Sequence, residues 1–334
     1  MTDQIQPSLV ITDQAGAFTE VQASDTTRRM YRSDLADLGR FLRARGRSLE
    51  EATREDLVGW IRSLEVRNVR GKRGVEGATL ARKLCVIKSF FEFLRTKGTI
   101  KTNPGSDLRA PRVDRTQGKT PCPAKREVEL LLGAMDSTTA RGLRDRAIGL
   151  LLFGQGLRVS EVAKLEKRHL ATEDGYTVIR LAGKGGTIVK SVLSPDVEQV
   201  LGEHLRKNVP QGQYVFRAMP TNAKYHEGKG RDPRTRPIGT RSILVMLKSH
   251  ARQAKLDPRS IRPHGGRVFF ITEAYRRTHD LERVARAVGH QSLGTTRRYL
   301  RYLEEANDHA ALAVRLIPRE TLLKPEREPH GRKD

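Results

Sequence analysis

Between residues 109 and 123 the chain reads RAPRVDRTQGKTPCP, with three prolines, a glycine, several basic side chains and no recurring apolar position. Such a stretch can neither continue a helix nor lie in the middle of a sheet. It therefore divides the 334 residues into two parts, each of which must bury a core of its own. On the N-terminal side Met30, Leu35, Leu38, Phe41 and Leu42 recur at three- and four-residue steps, the spacing of one helix face. Asp25 or Thr26 can cap that helix. A second helix is expected over Thr53–Val66, with Thr53 as N-cap and Leu57, Trp60, Ile61 and Leu64 facing inward. A third is expected over Ala78–Lys97, carrying Leu80, Leu84, Ile87, Phe90, Phe91 and Leu94. The Gly-rich, basic stretch from Asn68 to Gly77 reads as a loop.

Beyond the linker the pattern is again mostly helical, with helices expected at Lys125–Met135, Arg141–Gly154, Val159–Lys164, Asp196–Lys207, Thr240–Ala254, Gly265–Thr278, Leu281–Val288 and Thr295–Leu303. A last amphipathic stretch is Glu305–Leu316. The period changes once, over Gly175–Ser194, where apolar residues flank a Gly183-Lys184-Gly185-Gly186 turn and predict a β-hairpin. The expected fold class is mainly α with a small β-hairpin or sheet (α+β). The expected organisation is a flexible N-terminal segment (1–23), a helical domain (24–108), a linker (109–123), a second, mostly helical domain (124–316) and a charged tail (317–334).

Charge narrows the partner. Lys and Arg number 63 against 39 Asp and Glu, a formal net charge of +24 that calls for a polyanion. With aromatics at 5%, stacking on single-stranded bases is disfavoured, and duplex DNA held through its phosphates fits better. The longest apolar run, Ala147–Phe153, falls far short of the roughly 20 residues that span a bilayer, so no membrane role is expected. Met1–Val10 lacks a secretory pattern. Two isolated cysteines, Cys85 and Cys122, make neither a disulfide framework nor a zinc site, and the expected setting is a reducing cytoplasm. No His-Glu-x-x-His motif, Walker loop or spaced Cys/His cluster is present, so neither metal nor cofactor is expected.

Several pieces of the second part carry chemistry. Gly156-Leu157-Arg158-Val159-Ser160-Glu161 puts an arginine at a helix start with a carboxylate three residues on. Lys184 sits in the hairpin turn. Pro263-His264-Gly265-Gly266-Arg267 sets His and Arg on one helical turn. Gly289-His290-Gln291-Ser292 lies between helices, and Tyr299 follows His290 after nine residues. Singly, each has an ordinary reading as a surface ion pair, a solvated lysine, a helix cap or a packing residue. Taken in order, and with the run Val288-Gly289-His290-Gln291-Ser292-Leu293-Gly294-Thr295-Thr296-Arg297-Arg298-Tyr299, the chain resembles the tyrosine recombinase (phage integrase) family over roughly Ser24–Leu316. It departs from the family at Val268, where many relatives carry histidine. It departs again at Gly265-Gly266, where an apolar filler is common and a less rigid helix start is expected. Tyr302 and Lys190 are alternatives to Tyr299 and Lys184; only Tyr299 has the Thr-Thr-x-x-Tyr spacing.

The resemblance implies a core-binding domain and a catalytic domain that clamp duplex DNA, with Tyr299 as nucleophile towards a phosphodiester. A phenol of pKa about 10 needs nearby positive charge to attack at neutral pH. Arg158 and Arg267 would grip the non-bridging oxygens in a fork that lysine cannot reproduce. His264 and His290 would add hydrogen bonds, and His264 can also take the tyrosine proton. Lys184 would protonate the leaving 5′-oxygen, and Glu161 would orient the cations rather than bind a metal. The implied product is a 3′-phosphotyrosyl enzyme, formed without metal, cofactor or ATP. Further implications are inverted half-sites, a homotetramer on paired sites, a Holliday junction, and a last helix, around Ala306–Leu316, docked on a neighbouring protomer. A second recombinase or an accessory DNA-bending protein are further partners, and the setting is cytoplasmic and nucleoid-associated. Lys72, Arg73, Arg82, Lys83 and Lys88 are candidate DNA contacts, with the loop Lys224–Arg236 beside them. Two rival readings share these residues: a type IB topoisomerase-like nicking and closing enzyme, and a DNA-binding protein with a decayed active site. Integration, transposition and resolution all stay open as the biological role.

Overall fold

The computed structural model describes residues 13–69, 72–112, 120–183, 188–208, 212–217 and 236–299. The chain divides into two compact units, Met1–Asp114 and Arg115–Asp334. In the first, helices α1 (Asp13–Glu20), α2 (Asp25–Arg43), α3 (Arg54–Val66) and α4 (Gly77–Thr96) enclose one core. Ser24, one residue ahead of the expected caps, accepts the Thr27 N–H at 3.1 Å and starts α2. Thr53 and Asp56 close a reciprocal capping box on α3, a feature that contributes about 1 kcal/mol. Leu38, Leu57, Trp60, Leu64, Ile87 and Phe90 are fully buried.

The expectation of a flexible segment through residue 23 is corrected by α1. Phe18 packs its ring on Tyr31, Phe90 and Phe93, with centroids at 5.7, 5.5 and 5.5 Å. Only Ala15 and Phe18 anchor this helix, too few apolar positions to show a period. The expected loop after α3 instead holds a short antiparallel pair, β1 (Asn68–Val69) and β2 (Lys72–Arg73).

A cation lies inside this unit. Lys83 is only 9% exposed and its Nζ donates to Asp34 at 3.0 Å and to Asp37 at 2.9 Å. Arg82 pairs with Asp34, and Arg67 with Asp37. Lys83 as a DNA contact is therefore corrected: its ammonium neutralises two buried carboxylates. Lys88 is engaged as well, donating to the carbonyls of Ser106 and Leu108. The backbones of Lys72 and Arg73 form β2, and their side chains lie outside the described residues.

The second unit holds α5 (Lys125–Gly133), α6 (Ala140–Phe153), α7 (Val159–Ala163), α8 (Pro195–Asn208), α9 (Thr240–Gln253), α10 (Pro263–Thr278), α11 (Leu281–Ala287), α12 (Leu293–Arg297) and a small sheet. Helix α6 is the central post. Its run Ala147, Ile148, Leu151, Leu152 and Phe153 is buried on all sides, as a helix apolar around its circumference must be. The sheet runs β3 (Leu170–Glu173), β4 (Tyr176–Ala182), β5 (Ile188–Val192), antiparallel throughout, with Leu170 opposite Ile179 and Ile179 opposite Ser191. β4 and β5 are the expected hairpin; β3 is an extra strand, too short to announce itself. Lys184, Tyr302, the Glu305–Leu316 helix and the loop from Lys224 up to residue 235 lie outside the described residues. No helix among the described residues is long and apolar enough to cross a membrane.

The buried Lys83 makes a prediction. Burial alone would raise the Asp37 carboxyl, but hydrogen bonds from Lys83 and Arg67 hold it below its ordinary value of 3.8. Its ionised form thus stabilises the fold above that value, and the contribution fades as pH falls through the lower folded pKa. Lys83→Ala is expected to cost about 3 kcal/mol at neutral pH, because it strips a cation from buried carboxylates. Urea unfolding followed by the fluorescence of Trp60, the one tryptophan, measures this. A loss below about 1 kcal/mol would mean the cluster behaves as a surface ion pair.

Candidate active site

Two glycine turns and the start of one helix build the site. After α6 the chain turns at Gly156, whose φ is +65°, and whose Cβ, if it had one, would come within 2.6 Å of the Phe270 ring. Both facts demand glycine there. The turn delivers Arg158 as N-cap of α7. Glu161 accepts the Arg158 backbone N–H at 2.6 Å and its guanidinium at 2.7 Å, so one carboxylate fixes both the helix start and the side chain. Arg158 keeps about half its surface open, at 48%.

Pro263 occupies the first turn of α10, where its missing N–H costs nothing, and His264 and Arg267 follow on that turn. Here the expected looseness of Gly265-Gly266 is corrected. Both are buried, and a Cβ would sit 2.9 Å from the Pro121 carbonyl at Gly265 and 2.8 Å from the Leu152 carbonyl at Gly266. Gly266 lets the backbone of α10 close against α6, and Gly265 lets it close against Pro121, which is packing rather than flexibility.

Arg267 is 2% exposed. It donates to the Gly156 carbonyl at 2.7 Å and to the Val288 carbonyl. These carbonyls stand two residues before Arg158 and two before His290, so one guanidinium clasps both turns. The second turn is completed by Gly289, at φ +65°, where a Cβ would meet the Val189 methyls at 2.7 Å. That close approach sets β5 beside the Gly289 turn.

Tyr299 sits between the two histidines. Its ring stacks on His290 with centroids 5.7 Å apart and planes at 18°, and meets His264 edge-on at 6.0 Å. The His290 Nδ1 pairs with the Thr296 hydroxyl at 2.9 Å. Arg158, His264, Arg267, His290 and Tyr299 thus converge. Lys190 does not join them, because its Nζ is paired with Glu173 on the sheet.

The assembled cations act on one another. Burial first, then the charge of Arg158, pushes Arg267 down to about 10, with Glu161 and Tyr299 acting the other way. Burial, then Arg267 and Arg158, pushes His290 down to about 4. The same three causes lower His264. Glu161 offsets only part of this positive charge, and a bound anion would relieve the rest.

A family model described as the phage integrase family matches residues 124–305, and one described as phage integrase, N-terminal SAM-like domain matches residues 17–98. The chain belongs to the phage integrase family. The tyrosine recombinase XerD of Rhizobium meliloti (strain 1021) is 29% identical over 312 residues, 88% of this chain and 94% of that protein. Among solved structures, XerH site-specific recombinase bound to a palindromic difH substrate in a post-cleavage complex aligns with a TM-score of 0.64 at 17% identity, covering 92% of this chain and 90% of that one. A lambda integrase tetramer bound to a Holliday junction aligns with a TM-score of 0.63 at 16% identity, covering 86% and 75%. As a tyrosine recombinase the chain is an enzyme of site-specific recombination that cleaves and rejoins DNA.

Reading the sequence of this recombinase picked out the side chains that converge but missed what holds them. The carbonyls of Gly156 and Val288 leave no signature in a sequence. Gly156 and Gly289 do leave one, since each opens a candidate segment. Thr296 lay in plain view inside the Thr-Thr-x-x-Tyr run without a role.

An NMR titration of the histidines, with His290 assigned by loss of its signal in His290→Gln, should give His290 a midpoint near 4 and His264 one below 6.5. Adding duplex DNA should raise both midpoints, because phosphate charge offsets the arginines. A His290 midpoint at or above 6.5 in the free protein would remove the charge-frustrated site.

Proposed function

We propose that this recombinase breaks a DNA strand by in-line attack of the Tyr299 hydroxyl on the scissile phosphorus. A P–O bond forms to tyrosine, the bond to the 5′-oxygen breaks, and the products are a 3′-phosphotyrosyl enzyme and a free 5′-hydroxyl. The observation that carries this reading is a tyrosine ring held between two imidazoles beside two guanidiniums, of which only Arg158 is paired with a carboxylate. Arg158, held by Glu161, and Arg267 grip the non-bridging oxygens as negative charge grows in the transition state. His290 donates to the same oxygens in its neutral form. His264, also biased towards neutrality, accepts the tyrosine proton.

Lys184 protonates the leaving 5′-oxygen, which would otherwise depart as a strongly basic alkoxide. The strand that follows Lys184 in sequence, β5, packs Val189 against Gly289, next to His290. The arginines supply the charge that metal ions supply in other phosphoryl transfers, and the phosphotyrosyl bond keeps the ester energy, so the scheme needs neither metal nor ATP. Reversal by the 5′-hydroxyl of a second strand gives exchange.

The assembly follows from the same reading. Four copies on two sites with inverted half-sites exchange one strand pair at a time through a Holliday junction, as the tetrameric lambda integrase complex suggests. The N-terminal unit and residues 124–316 close on the duplex as core-binding and catalytic domains, with the 109–123 linker between them. Lys72 and Arg73 stay as candidate phosphate contacts, whereas Arg82, like Lys83, is paired with Asp34. The errand is movement or resolution of a DNA element, by integration, transposition or resolution, in the nucleoid.

The test uses duplexes tiled from the DNA flanking the gene, nicked just downstream of each candidate cleavage position, in EDTA. The short 5′-hydroxyl fragment diffuses away, and a covalent complex should accumulate on a denaturing gel. Tyr299→Phe should abolish it and Tyr302→Phe should not. Arg267→Lys should slow it by about 10²- to 10³-fold, since a single ammonium cannot clasp two carbonyls and grip phosphate. An adduct that survives Tyr299→Phe and maps to another residue would overturn the assignment.

A further inference from the structure

A neutral imidazole carries one proton, and which nitrogen holds it decides whether the ring offers phosphate a donor or a lone pair. His290 has this choice, and its neighbour makes it. Thr296 is fully buried, and among the described residues its hydroxyl bonds only the His290 Nδ1, at 2.9 Å. A helical threonine ordinarily turns its hydroxyl back to a carbonyl three or four residues earlier. Here the Ser292 carbonyl accepts the Thr295 N–H at 3.0 Å, and the Thr296 hydroxyl aims at the ring instead.

Two arrangements are possible across that contact. If Nδ1 carried the proton it would donate to the threonine oxygen, and the hydroxyl proton would be left buried without an acceptor. If the hydroxyl donates to a bare Nδ1, both groups are satisfied and the ring proton moves to Nε2. Stacking on Tyr299 fixes the ring plane, so Nε2 is the nitrogen left to face a ligand.

We propose that Thr296 is a positioning residue that locks His290 in the Nε2–H tautomer by donating its hydroxyl proton to Nδ1, so that the ring meets the DNA phosphate as a ready-made donor. The proposal rests on the reading of His290 as a phosphate-binding group. The depressed pKa of His290 supports it, because a ring that stays neutral at pH 7 can donate only through whichever nitrogen keeps its proton. The lock would spare the site a rearrangement at the moment negative charge grows on phosphorus.

Long-range ¹H–¹⁵N correlation spectra of the full chain labelled with ¹⁵N-histidine at pH 7 report the tautomer directly, with His290→Gln for assignment. Wild type should show Nε2 protonated and Nδ1 as an acceptor. Thr296→Ser should keep that signature, and Thr296→Val, equal in shape but without the hydroxyl, should lose it. On the nicked duplex, Thr296→Val should form adduct about 10- to 100-fold more slowly, with DNA affinity held and Thr296→Ser close to wild type. A wild-type Nδ1–H signature overturns the proposal, as does an unchanged tautomer in Thr296→Val. If Thr296→Val does not fold, the wild-type and Thr296→Ser spectra still decide. Should the spectra come out as expected while His290→Gln forms adduct at the wild-type rate, the tautomer lock stands and the catalytic reading of His290 falls.

Discussion

The second unit is organised around a cation that it has taken out of water. Burying a guanidinium is costly unless its donors are met, and Arg267 meets that cost with the carbonyls of Gly156 and Val288. Each carbonyl belongs to a sharp turn, and each turn ends two residues later at another member of the site. The helix that carries Arg267 can reach both only because Gly265 and Gly266 let it press against the Pro121 and Leu152 carbonyls. Fixing one side chain therefore fixes Arg158, His290 and the approach of β5 together. Lysine in the same place would offer a point charge without the spread of a planar fork.

Charge acts on two length scales in this chain. The net +24 draws a polyanion from a distance and is screened within about 10 Å at moderate salt. Inside the site the relevant range is a few ångströms, and the groups there depress one another instead of being neutralised. Burial first, and then the charges of Arg267 and Arg158, push both His264 and His290 towards the neutral form. The site thus carries its electrostatic preference for an anion before DNA arrives. That is the preorganised state in which charge stabilisation at a transition state costs least reorganisation.

Much of this was legible in the sequence because helices that bury one face must repeat their apolar residues. α2, α3 and α4 followed from such runs, and the hairpin from a change of period around a Gly-rich turn. What failed to show were elements too short to carry a period: α1 with two apolar anchors, β3 with four residues, the β1–β2 pair. At the site, side-chain identities were readable and backbone partners were not, since every residue has a carbonyl and only the fold decides which one a guanidinium meets. The Gly265-Gly266 pair was misread for a related reason. Glycine permits looseness and close approach alike, and only the neighbouring Pro121 and Leu152 carbonyls decide between them.

The two buried cations of this chain show how to separate scaffold charge from functional charge. Lys83 and Arg267 are both basic residues of a helix, 9% and 2% exposed. Lys83 is matched by the carboxylates of Asp34 and Asp37, so its charge is spent inside the fold and offers nothing to a phosphate. Arg267 is solvated by dipoles that carry no net charge, so its positive potential survives burial and is felt by Arg158, His264 and His290. A low local dielectric strengthens that unspent potential as much as it strengthens an ion pair. Counting basic residues along a helix therefore gives no measure of how much of their charge stays free in either unit. The discriminating quantity is what faces the cation: a carboxylate closes its account locally, and a carbonyl leaves it open for the substrate.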